Sequence, residues 1–188
     1  MSITSRDKLI AKLNTYKTAF AEEAGFVNQF LDLLRAPRCY FRDHLPGHLT
    51  GSSWIVNESG SDVLLVHHAK LNKWLQPGGH ADGDENIYGV ALREAMEETG
   101  LKTVSPITEE IFDIDIHPIP PRADFQQHLH FDVRFIFQAS QNEVLQVSAE
   151  SNHVAWFNLD KVASHTENNT SILRMMDKTK QLLRSHQH

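Results

Sequence analysis

The hydrophobic period of this chain changes near His48, and that change decides which folds are open to it. Before it, Leu9, Leu13, Tyr16 and Phe20 recur at three-four spacing, and Phe26, Phe30 and Leu34 continue the series. That is the mark of an apolar stripe along a helix. Gly25 predicts a break into two shorter helices, and Pro37 ends the pattern. After the change, residues 49–57 and 63–68 read as strands on either side of the turn-rich 58–62. A short strand at 73–76 runs into the turn signal Pro77-Gly78-Gly79, and further strands are expected at 107–116 and 154–159. Residues 128–137 alternate strictly: Leu129, Phe131, Val133, Phe135 and Phe137 share one face, and His128, His130, Asp132 and Arg134 the other. Residues 86–99 and 170–185 read as helices, with Gly100 closing the first. Helices flank strands without regular βαβ alternation. The expected fold is therefore α/β of the α+β kind, a mixed β-sheet sandwiched between helices. Residues 1–45 form a helical N-terminal extension packed on the core, and residues 46–188 form the main domain.

A length of 188 residues fits one domain plus such an extension. With 40% hydrophobic and 22% charged residues, the chain has the make-up of a packed globular protein rather than a disordered one. Cys39 is the only cysteine, which excludes an intrachain disulfide framework. The formal charge of −6 argues against sequence-independent binding to DNA or RNA, although the 12 histidines make that charge sensitive to pH. No apolar run approaches the roughly 18 residues of a membrane span. The start of the chain scatters Arg6, Asp7, Lys8 and Lys12 where a secretory signal would be apolar. A cytoplasmic protein with neither DNA nor membrane as partner is expected, its oligomeric state open and a homodimer included.

The helix at 86–99 breaks a local rule. Glu94, Glu97 and Glu98 crowd its last two turns, where the helix dipole disfavours negative charge. Glu94 and Glu98 also form a like-charge i,i+4 pair. At 100° per residue the three carboxylates fall within an arc of about 100°. Arg93 offsets part of this charge from four residues before Glu97. A divalent cation of the Mg²⁺ type, which takes carboxylate and phosphate oxygens, would offset the rest. Taken alone, three glutamates are better explained by a solvated acidic face. Glu85 sits near the start of the helix, where its charge is favourable, and by angular position it faces away from Glu94. Gly78 and Gly79 permit a tight turn or close packing that fixes the loop entering the helix.

The spacing adds what the glutamates alone lack. The run GHADGDENIYGVALREAMEETGL, residues 79–101, resembles the Nudix box G-x5-E-x7-R-E-U-x-E-E-x-G-U at every fixed position. A looser resemblance covers residues 49–159. It implies a Nudix hydrolase, with Mg²⁺ or Mn²⁺ held by Glu94, Glu97 and Glu98, that cleaves a nucleoside diphosphate linked to another moiety. Arg93 would orient a glutamate. The base that activates water would be Glu94 or Glu98, or an acid outside the box such as Glu150, which also reads as an ordinary loop acid. Cleavage of a diphosphate needs charge neutralisation on non-bridging oxygens and an in-line water. The alternative is a non-catalytic, nucleotide-sensing Nudix-like module, against which the undamaged box speaks.

Substrate contacts are less legible. His130, Asp132 and Arg134 either line the cleft beside the metal or belong to a half-exposed strand with solvated polar groups. His128-x-His130 has the spacing of two zinc ligands on one strand face, without an evident third or fourth. His67 and His68 read as structural or surface residues, and Trp74 and Tyr88 either stack on a base or belong to the core. A long loop is expected at 115–127, with Pro118, Pro120, Pro121 and Arg122.

Overall fold

The computed structural model describes residues 3–121 and 125–185. The N-terminal helices are α1 (Ser5–Thr15) and α2 (Ala21–Leu33). Thr4 caps α1 through a capping box with Asp7. The break between the helices falls at residues 16–20 rather than at Gly25, which lies inside α2. A buried carboxylate explains this placement. Glu23 of α2 is fully buried. It accepts hydrogen bonds from the Tyr16 hydroxyl at 2.5 Å, the Thr18 hydroxyl and the Ile114 amide at 3.2 Å. Folding the chain back over residues 16–20 delivers those hydroxyls, and a buried carboxylate without such partners would be costly.

The strands are β1 (Gly47–Val56), β2 (Asp62–His68), β3 (Lys73–Leu75), β4 (Gly78–His80), β5 (Ser105–Pro106), β6 (Asp113–Ile119), β7 (His128–Gln138) and β8 (Ser151–Asn158). The later helices are α3 (Ile87–Thr99), the short α4 (Val162–His165) and α5 (Thr170–Ser185). The fold is the mixed α+β arrangement of sheet and helices that the change of period implies. Contacts divide the chain into two compact units, and β1, α3 and β7 each contribute residues to both.

The first unit comprises Met1–Ser52, Gly78–Ala91 and Glu109–Phe135. Within it β4 pairs antiparallel with β1, Thr50 opposite His80, and β6 pairs antiparallel with β7, Asp115 opposite Asp132 and His117 opposite His130. Phe30 of α2 meets Phe131 edge-on at 5.3 Å between ring centroids. The expected loop at 115–127 is strand as far as Ile119, through Pro118. Each proline removes one donor, which a strand tolerates where that donor is not needed by the ladder. Arg122 lies outside the described residues.

The second unit comprises Ser53–Pro77, Leu92–Thr108 and Ile136–His188. Here β2 pairs with β1, β3 and β8, all antiparallel. Fully buried Trp54 donates its indole N–H to Thr179 of α5 at 2.8 Å, so the largest side chain of this core leaves no unsatisfied donor. No helix among the described residues is long and apolar enough to cross a membrane.

Candidate active site and its surroundings

The loop into α3 is set by close packing. Gly78 and Gly79 lie at the start of β4, paired with Ser52 and Gly51. A Cβ at Gly78 would stand 2.2 Å from the Ser52 hydroxyl oxygen and 2.8 Å from its Cα. Gly78→Ala must push β4 off β1, and we expect a loss of about 1–3 kcal/mol, the usual penalty of overpacking. Thermal melts of the variant check this, and an unchanged melting temperature would contradict it.

Glu85 is held in the loop before α3. It accepts from Arg6 of α1, Nε to Oε1 at 3.1 Å. The same guanidinium donates to the carbonyls of Leu34, Ala36 and Pro37, and it lies 5.0 Å from the centre of the Tyr40 ring. Arg6 thus joins α1, the end of α2 and the loop that enters α3 within the first unit. The sequence shows the N-terminal helices only as a packed extension and gives no sign of this partner, which lies 79 residues from Glu85.

The last two turns of α3 carry the acids. Arg93 Nη2 donates to Glu94 Oε1 at 2.7 Å, and its Nε lies 3.8 Å from Glu97 Oε1. The three carboxylates are graded in depth: Glu98 is buried, the Glu94 side chain is 18% exposed and that of Glu97 62%. Gly100 follows at φ +75°, its amide donating to the Met96 carbonyl, so the helix stops where the motif ends. Three carboxylates and one guanidinium leave these turns with surplus negative charge carried on oxygen. That chemistry suits a hard divalent cation. Glu150 lies in an exposed turn before β8, its amide bonded to the Ser148 hydroxyl.

A family model for the NUDIX domain matches residues 47–178. The chain belongs to the Nudix hydrolase family. Among curated Nudix relatives, the m7GpppN-mRNA hydrolase NUDT17 of Danio rerio is 30% identical over 107 residues, 53% of this chain and 35% of that protein. Nucleoside diphosphate-linked moiety X motif 6 of Xenopus laevis is 36% identical over 63 residues, 30% of this chain and 29% of that protein. The chain thus spans about a third of the length of these relatives. Among solved structures, a NUDIX-family hydrolase from Clostridium perfringens aligns with a TM-score of 0.57 at 22% identity, covering 72% of this chain and 97% of that one. A C. elegans Ap4A hydrolase aligns at 0.53 and 19%, covering 73% and 98%. Both share the Nudix fold with this chain.

The polar face of β7 is not solvated as a half-exposed strand would be: Asp132 and Arg134 are both buried. Arg134 donates from Nε to Asp132 at 2.7 Å, from Nη1 to Asp113 at 3.0 Å and from Nη2 to Asp115 at 3.2 Å. Asp132 accepts in addition from Thr50 at 2.9 Å and Ser52 at 2.8 Å. Burial opposes the charge on Arg134, but Asp132, Asp115 and Asp113 outweigh it and hold the guanidinium charged. The charged ends of Asp132 and Arg134 are engaged with each other and with β6 and β1. His130, on the same face, lies instead among other imidazoles. Trp74 packs edge-on against Phe157, and Tyr88 edge-on against Phe135.

Proposed function

We propose that this Nudix hydrolase uses Mg²⁺ or Mn²⁺ to cleave a pyrophosphate bond in a small nucleoside diphosphate linked to another moiety. The observation that carries the reading is the complete glutamate array on the last two turns of α3, in a chain of this family. Glu94, Glu97 and Glu98 would hold the cation, which supplies charge neutralisation on the diphosphate and a more acidic bound water. Buried Glu98 and part-buried Glu94 are the groups to take the proton from that water, with exposed Glu150 as the candidate outside the helix. Arg93 acts as a positioning residue for Glu94. The relatives named for mRNA-cap and Ap4A hydrolysis support a nucleotide-linked substrate. Residues 1–45 serve as a helical extension whose Arg6 steadies the loop at Glu85, and residues 46–188 as the hydrolase domain.

The test is turnover on a panel of dinucleoside polyphosphates, nucleotide sugars, ADP-ribose and capped nucleotides, with Mg²⁺, with Mn²⁺ and with chelator. Nucleoside monophosphate release that requires the metal is expected for at least one of them. Nucleotide binding by calorimetry with no product under any condition would replace the enzyme by a sensing module.

A further inference from the structure

Five imidazoles, to which the proposed hydrolysis assigns no step, converge in the first unit. His48 of β1 lies 5.0 Å from His128 and 4.9 Å from His130, both of β7, between ring centroids. His80 of β4 lies 5.2 Å from His48 and 4.9 Å from His130, and His117 of β6 lies 5.5 Å from His130. Ligand nitrogens of His48, His128 and His130 fall within 4.8 Å of one another. His48 is 1% exposed and His128 9%.

Hydrogen bonding in the cluster is incomplete. Both ring nitrogens of His48 and Nε2 of His130 are buried without a hydrogen-bond partner of normal geometry among the described residues. Orphaned buried polar atoms are rare in folded proteins, and an unseen ion is one standard explanation. His128 points the same way. Its Nδ1 lies 2.9 Å from the Gln126 carbonyl, which can only accept, so Nδ1 carries the proton and Nε2 keeps its lone pair. A carbonyl behind the ring that fixes the tautomer is the usual outer support of a metal-bound histidine. Asp113, Asp115 and Asp132, paired with the guanidinium of Arg134, lie on β6 and β7, which also carry His117, His128 and His130. His117, whose Nδ1 stands 3.3 Å from Asp115, joins these acids to the imidazoles.

We propose that His48, His128 and His130 form a binding site for one zinc-class transition metal ion, distinct from the glutamate site of α3. The expected donor shell is three neutral imidazoles with a fourth position open, a set that selects zinc, cobalt, nickel or copper over magnesium. Zn–N bonds of about 2.0–2.1 Å put ligand nitrogens roughly 3.3 Å apart in a tetrahedron, so the rings close inward on binding. The ion would clasp β1 to β7 where the two strands enter the first unit.

The full-length protein, stripped with chelator, is titrated with ZnCl₂ and with CoCl₂ under excess Mg²⁺. One equivalent of zinc is expected to bind and raise the melting temperature. Cobalt should develop the visible bands of a tetrahedral site, and X-ray absorption of the zinc form should show three imidazoles. His48→Ala and His128→Ala should each weaken zinc binding by more than the roughly 10–100-fold that loss of an outer supporting group brings. His67→Ala/His153→Ala, which removes two histidines of β2 and β8, should leave it unchanged. Glu97→Gln, which impairs the other site, should leave it unchanged too. Wild-type protein that binds no stoichiometric zinc, or whose bound metal shows fewer than three imidazoles, overturns the proposal whether or not the variants fold. So does zinc affinity that survives His48→Ala or is competed away by Mg²⁺.

Discussion

Glu98→Gln is expected to lower the metal-dependent turnover of the best panel substrate by roughly 10²–10⁴-fold, the range set by losing a positioned general base or the charge that holds its metal. Glutamine keeps the shape and removes the charge. Glu98 is buried at the end of α3, so its neighbours enclose it whichever of the two side chains is present. Little of the loss should therefore come from unfolding, and the melting temperature in chelator should stay close to that of the parent. The graded exposure of the three acids sets a ranking. Glu97, 62% exposed and 3.8 Å from Arg93, should tolerate glutamine with a smaller loss, expressed mainly as a higher Mg²⁺ requirement. Arg93→Ala should fall between them, since it frees Glu94 from a 2.7 Å contact without removing a carboxylate. Steady-state rates across a Mg²⁺ titration, beside circular-dichroism melts, separate these effects. Turnover unchanged in Glu98→Gln would remove that residue from the reaction.

Much of this arrangement could be read from periodicity and spacing. The change of period near His48 anticipated β1, which begins at Gly47, and the helices at 86–99 and 170–185 formed within a residue of those bounds. Local rules suffice there, because helix ends depend on nearby residues such as Gly100. Two kinds of feature were not legible. The first is a partner far along the chain. Glu23 meets the Ile114 amide across 91 residues, Arg6 meets Glu85 across 79, and Thr50 meets Asp132 across 82. No spacing rule announces such pairs. The second is what a polar face touches. Alternation along β7 showed correctly that His128, His130, Asp132 and Arg134 share a side. Period two says nothing about whether that side meets water or a complementary set of buried groups. The missing zinc ligand belongs to both kinds: His48 lies 80 residues before His128, and only the pairing of strands brings it there.

The network around Arg134 gives the largest expected effect on stability. Arg134→Met should destabilise the protein by about 3–5 kcal/mol, because it leaves Asp113, Asp115 and Asp132 buried together without their common cation. Methionine is close in volume and unbranched, so the loss comes from charge more than from a cavity. Removing the carboxylates as well should reverse much of the damage. Arg134→Met combined with Asp113→Asn and Asp115→Asn leaves one buried carboxylate, Asp132, in place of three, and breaking one half of a buried pair is worse than replacing both halves. Asp132 is left in place in that variant because Thr50 and Ser52 already donate to it at 2.9 and 2.8 Å. Urea denaturation of the three proteins decides the point. A loss in Arg134→Met below about 1 kcal/mol, the level of an exposed ion pair, would mean that water reaches the guanidinium and that the polar face of β7 is solvated after all. A triple variant less stable than the single one would mean that the carboxylates have other buried donors to satisfy, and that the guanidinium is one support among several rather than the group that holds β6 and β7 in register.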